Sequence, residues 1–137
     1  LIVDGHHVHF DAARLAIKAK SNGKIILVTD AMPPVGTDDD SFPFFDSKII
    51  RTGDRLNALT GELAGSCLDM AGAVKNTVEH LQVELTEALR MASVYPSEFL
   101  ALDNQKGRLQ PGACADFIIL NDDLTVQQTW IAGQQVI

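Results

Sequence analysis

The period of apolar residues along the chain changes twice. Residues 1–3, LIV, are continuously apolar, and beyond DGHHVH the residues Phe10, Ala13 and Ile17 recur at helical spacing through DAARLAIKAK. Asn22 and Gly23 stop that helix, and residues 25–28, IILV, form a second apolar run. A strand, a helix and a strand therefore fall within the first 30 residues, the βαβ grammar of a parallel sheet. Residues 32–62 lose the rhythm. Pro33, Pro34 and Gly36 open a loop, Asp38, Asp39 and Asp40 make a solvated acidic tip, and PFFDSKIIRTGDRL reads as short strands joined by DS and TGD turns.

Helical spacing returns at Ser66, where SCLD has the form of a capping box with Ser66 as N-cap and Asp69 reaching back. Leu68, Ala71, Val74, Val78 and Leu81 then mark one face. Thr86 is the expected cap of a further helix with Leu85, Leu89 and Ala92 apolar, and Pro96 marks its end and a short following turn. From Gly107 the period becomes two: residues 117–120 read as a strand, and 126–131 with 134–137 flank Ala132 and Gly133 as a hairpin.

The 137 residues, 46% hydrophobic and 21% charged, suffice for one globular domain with a core. The chain opens on Leu1 inside an apolar run, with neither an initiator Met nor a leader, and reads as a cut through a larger protein. No run of 18 apolar residues is available to span a membrane. A net charge of −7 argues against binding nucleic acid or an anionic membrane. Cys67 and Cys114 stand far apart and in no CxxC, so no disulfide framework is expected, and a reducing cytoplasm is the natural compartment.

Two patterns carry candidate chemistry. Asp30 ends the run KIILVTD, where a barrel strand delivers an acid to a catalytic rim, although Asp is also a good opener of the turn that follows. In DGHHVHF, His7 and His9 lie two apart and would share one side of a strand, as metal-binding His-x-His pairs do. Yet only one more strand of barrel type follows. Residues 1–7 therefore read as the penultimate barrel strand and 25–30 as the last, with His7 a substrate contact and His9 a rim or surface residue. His80, beside Glu79 in a helix, reads as structural or solvated, and Cys67 as ordinary packing.

VDGHHVH, LVTDAMPPVG, LAGSCLDM, MASVYPSEFLAL and KGRLQPGACADFIIL, in this order, resemble the carboxyl-terminal portion of the N-acetylglucosamine-6-phosphate deacetylases, within the amidohydrolase superfamily. The resemblance covers essentially the whole chain. The last two blocks are general to the superfamily, and the first three are more specific to the deacetylases. It implies an α/β fold: residues 1–106 as the last strands and helices of a (β/α)8 barrel with an insertion at about 32–62, and residues 107–137 as strands of a small β-sandwich. It further implies release of acetate from N-acetylglucosamine 6-phosphate, with a divalent metal, zinc or similar, activating water and polarising the amide. Asp30 matches the family's proton-transferring acid and His7 its substrate-contacting histidine. Asp4, Gly5 and His6 fall in the same substrate loop, and Leu63, Ala64 and Gly65 match a loop that closes over the ligand.

The family's metal ligands and phosphate-gripping arginine lie on earlier strands, so no metal ligand is expected here and the chain alone is expected to be inactive. A complete barrel needs roughly 250 residues. His9 stands where the family commonly has an acid. The implied partner is a small amino-sugar phosphate, and the family suggests a homodimer. Another amidohydrolase activity, on a cyclic amide or a nucleobase, remains open on the KGRLQPGACADFIIL block, as does a non-catalytic role for the isolated chain.

Overall fold

The computed structural model describes residues 1–20 and 22–137. Residues 1–3 and 25–28 run side by side: the Leu1 ammonium donates to Ile26 O at 2.7 Å, and Val28 N donates to Leu1 O at 3.0 Å. Leu1 thus brackets Leu27 in the slanted pattern of a parallel pair. The ladder goes no further. Val3 O, which would accept the next bond, is taken by Asn76 Nδ2 at 2.8 Å, and Leu27 N donates to Met91 O at 3.0 Å. The two expected strands are therefore extended segments held as much by helices as by each other.

Helix α1, Phe10–Ala19, connects them and buries Ala13, with Phe10 and Ile17 packed half-buried on the same core, as the spacing predicts. Helices α2, Met70–Glu79, and α3, Leu85–Ala92, complete that core. Val3, Ala13, Leu27, Ala73, Val74, Leu81, Ala88 and Met91 are each no more than 3% exposed.

Three helix boundaries differ from the pattern reading. Asp69, not Ser66, caps α2, its Oδ1 accepting from Gly72 N at 2.6 Å, because Ser66 is drawn into a strand. Glu84 precedes α3 without a side-chain cap, leaving Thr86 inside the first turn. The buried side of α3 is Ala88 and Met91, while Leu89 and Ala92 border an apolar groove of about 520 Å³ shared with Phe117 and Trp130. Pro96 does not follow the last helix but sits in the first turn of a short one, α4, Val94–Phe99, where its missing N–H costs no helix bond.

The loop region carries an antiparallel meander, β1 (Ser41–Phe44), β2 (Ser47–Thr52), β3 (Arg55–Ala58) and β4 (Leu63–Ser66), ordered as in the chain. Ile49, Leu56 and Ser66 are its buried residues. Gly53, at φ 65°, turns β2 into β3 at the predicted TGD, and the preceding turn falls on Phe45 and Asp46 rather than on DS. A second sheet of β5 (Phe117–Leu120), β6 (Val126–Ile131) and β7 (Gln134–Gln135) closes the chain. Ala132 and Gly133, at φ 50° and 77°, make the expected two-residue hairpin turn. Among the described residues no helix is long and apolar enough to cross a membrane.

Ser66 fastens the meander to the end of the 25–30 segment. Ser66 N donates to Asp30 O at 2.8 Å, Met32 N donates to Ser66 O at 3.0 Å, and Ser66 Oγ donates to Thr29 O at 2.6 Å. The approach is close enough that a Cβ on Gly65 would lie 2.6 Å from both Asp30 O and Met32 Cγ.

Two substitutions test this packing. Leu27→Ala empties a core position and is expected to cost about 2–5 kcal/mol in urea unfolding; an unchanged midpoint would place Leu27 outside the core. Gly65→Ala is expected to cost about 1–3 kcal/mol by overpacking against backbone, whereas Gly53→Ala, with open space around it, should lose only what its positive φ demands.

Candidate active site

The candidate residues collect where the DGHHVH loop meets the end of the 25–30 segment and the end of β4. Gly5, at φ 78°, bends the chain sharply after Val3, and a Cβ there would lie 3.0 Å from the Phe10 ring. The bend folds the Asp4 carboxylate under its own successors. Asp4 Oδ1 accepts from the backbone amides of His6 and His7, both at 3.0 Å, and Oδ2 lies 2.7 Å from His7 Nδ1. The Asp4 side chain is 7% exposed. Burial pushes its carboxyl up, but the amide and ring of His7, together with the amide of His6, outweigh that and hold it below the usual carboxylate range.

The opposite ring nitrogen of His7, Nε2, faces Asp30 Oδ2 at 3.6 Å. That separation exceeds a direct hydrogen bond, and the imidazole and the carboxylate stand side by side at the end of the 25–30 segment. Asp30 itself is open, its side chain 58% exposed, and its backbone is left-handed at φ 54°. A non-glycine residue held there costs of order 1–3 kcal/mol unless its neighbours over-determine it. Here Ser66 does so, with its amide on Asp30 O and its hydroxyl on Thr29 O.

The other candidates take separate places. His6 Nε2 reaches Asp54 Oδ1 at 3.0 Å, tying the loop to the β2–β3 turn, a partner 48 residues away that no local pattern marks. Leu63, Ala64 and Gly65, expected as a loop, form β4 because Arg55 and Asn57 of β3 supply hydrogen-bonding partners across a bulge. Gly65 abuts Asp30 and donates its amide to Met32 Sδ at 3.2 Å, and Leu63 and Ala64 continue that strand half-buried. His9 caps α1, its Nδ1 accepting from Asp11 N at 3.2 Å, with its side chain 77% exposed. His80 stacks on Phe10 at 4.3 Å. Cys67 is half-buried and Cys114 exposed, and both are free thiols.

Among the described residues no three His, Cys, Asp or Glu side chains converge as the ligand set of a metal would. His7 and Asp30 offer two donors. What they do provide is an imidazole with one carboxylate fixing its rear nitrogen and a second, solvent-reaching carboxylate before its front nitrogen, a geometry suited to moving a proton beside a polarised carbonyl.

The chain is similar to deacetylases of known structure and name. It is 44% identical over 134 residues to an N-acetylgalactosamine-6-phosphate deacetylase of Shewanella sp. (strain ANA-3), covering 98% of this chain and 34% of that protein. It superposes on N-acetylglucosamine-6-phosphate deacetylase from Pasteurella multocida with a TM-score of 0.93 and 32% identity, covering 98% of this chain and 35% of that one. A mutant of the Mycobacterium smegmatis enzyme in complex with N-acetyl-D-glucosamine 6-phosphate matches at a TM-score of 0.89 and 29% identity, over all of this chain and 37% of that one. The chain spans about a third of the length of these relatives. The model of the amidohydrolase family matches residues 3–136, and the chain belongs to that family.

Proposed function

We propose that this chain is the carboxyl-terminal part of an N-acetylglucosamine-6-phosphate deacetylase, which hydrolyses the N-acetyl amide to glucosamine 6-phosphate and acetate. The observation that carries the reading is the pairing of His7 Nε2 with Asp30 Oδ2 at 3.6 Å, in a chain that matches deacetylases along nearly its whole length. Residues 1–106 would contribute the last part of a (β/α)8 barrel, with 32–62 inserted, and 107–137 strands of a small β-sandwich. The apolar groove beside Phe117 and Trp130 is consistent with further strands packing there. The family's divalent metal, zinc or a similar ion, held by residues outside these 137, supplies water activation and carbonyl polarisation.

The chain's own residues divide the remaining work. Asp30 accepts the proton of the attacking water as its oxygen bonds to the amide carbon, then returns that proton to the sugar nitrogen as the C–N bond breaks. His7 points Nε2 at the amide group and orients it. Asp4, Gly5 and His6 shape the loop that presents His7, and Leu63, Ala64 and Gly65 border the ligand from β4. The left-handed backbone of Asp30 supports this assignment, since strain of that kind gathers where side-chain aim matters. A cytoplasmic homodimer accompanies the reading, on the family resemblance and on the two free thiols.

A second substrate, the 4-epimer N-acetylgalactosamine 6-phosphate, is favoured by one observation: the 44% identical relative is named for it, whereas the solved structures named for the glucosamine compound are 32% and 29% identical. Activity on a cyclic amide or a nucleobase is not favoured by these likenesses.

Steady-state kinetics on the intact protein test the reading. Asp30→Asn is expected to lower kcat by about 10² to 10⁴-fold with metal content preserved, because the amide keeps the shape and cannot take the proton. His7→Asn is expected to lower kcat/KM more broadly. Retention of wild-type kcat by Asp30→Asn would return this aspartate to a turn-forming role. The kcat/KM ratio for the two epimeric sugar phosphates decides the substrate, the faster being the native one, and turnover of neither would overturn the deacetylase assignment.

A further inference from the structure

The Asp4 carboxylate is the most fully engaged polar group of the candidate site, yet it does not reach the space before Asp30. Both its oxygens are committed inward, Oδ1 to the amides of His6 and His7 and Oδ2 to His7 Nδ1. Its side chain is 7% exposed, against 20% for His7 and 58% for Asp30. A substrate contact needs an unspent, accessible oxygen, and Asp4 offers neither. A carboxylate that only stabilised the bend would need no more than its two amide bonds. The third bond, at 2.7 Å to the ring, has a chemical consequence.

A neutral imidazole carries its proton on one nitrogen, and the partner of the other decides which. A carboxylate accepts and never donates while ionised, so Asp4 Oδ2 selects the Nδ1–H form of His7 and leaves the Nε2 lone pair facing Asp30. The geometry points to Asp4 as a positioning residue: it fixes the tautomer and ring plane of His7 so that Nε2 is presented to the substrate and to Asp30. The inference rests on the deacetylase reading for what His7 then does, but the tautomer itself does not depend on that reading. With Nε2 available to accept, a proton delivered to the gap between Asp30 and His7 is shared by two bases rather than one, and the doubly protonated ring is balanced by a carboxylate on each side.

Asp4→Asn isolates this role. The Asn Oδ1 still accepts from both amides, keeping the bend, while its NH₂ now donates toward Nδ1 and forces the Nε2–H form. The test is nitrogen NMR on the intact protein labelled with ¹⁵N-histidine, with His7 assigned by the signals lost in His7→Asn. For the neutral ring, wild type is expected to show protonated Nδ1 and unprotonated Nε2, and Asp4→Asn the reverse. Turnover of N-acetylglucosamine 6-phosphate is expected to fall with that reversal, kcat by about 10²-fold or more and KM by much less, as for loss of a properly oriented acid–base group.

A wild-type His7 already in the Nε2–H form would overturn the proposal, even if the variant fails to fold. So would an Asp4→Asn protein whose tautomer reverses with kcat unchanged, or whose kcat falls while the tautomer stays, the second outcome marking a purely structural carboxylate. If wild type turns over neither epimeric sugar phosphate while the tautomers behave as stated, the deacetylase reading fails and the positioning of His7 by Asp4 stands.

Discussion

The whole candidate site hangs on the way Ser66 holds the end of the 25–30 segment. Its amide takes Asp30 O, its carbonyl takes Met32 N and its hydroxyl takes Thr29 O, three bonds that bracket one aspartate from both sides. Asp30 needs that bracket because its left-handed backbone, at φ 54°, is unfavourable for any residue with a Cβ. Gly65 makes the bracket possible by having no side chain where Asp30 O and Met32 pass. The same serine ends β4, so one residue couples the four-stranded meander to the aim of Asp30.

Against that anchored acid, the DGHHVH loop sets an imidazole. Gly5 turns the chain, Asp4 folds beneath the turn, and the His7 ring is gripped from behind and left open in front. Packing holds this loop from below. Val3 is fully buried, its carbonyl is bonded by Asn76 of α2, and the Phe10 ring lies against Gly5 and stacks on His80. The helices thus act on the site through the Asn76 and Phe10 side chains, which hold the backbone of the loop.

Much of this was legible in the order of residues, and the misses share one cause. The α1 face, the short strands of the insertion and the Ala132–Gly133 hairpin follow from local periodicity and turn chemistry, which act within a few residues. Asp30 stood out because an acid at the end of an apolar run is a local signal. SCLD has the local form of a helix cap, but the hydroxyl and amide of Ser66 donate to Thr29 O and Asp30 O, more than 30 residues away. In α3, Leu85 and Leu89 outrank Ala88 in hydrophobicity, yet Ala88 and Met91 are the buried residues and Leu89 borders the groove. Asp54 on His6 carries no local mark at all. The role of Asp4 needed coordinates, since DGHH names the residues without saying that both carboxylate oxygens turn inward.

The most direct measurement of the central claim is a crystal structure of the intact protein carrying Asp30→Asn, grown with the sugar phosphate it turns over. The account predicts the N-acetyl amide resting against both residue 30 and His7, its N–H on the His7 Nε2 side, with Asp4 still bonded to Nδ1 and the sugar bordered by β4. A sugar phosphate bound elsewhere, with its amide touching neither His7 nor residue 30, would contradict it.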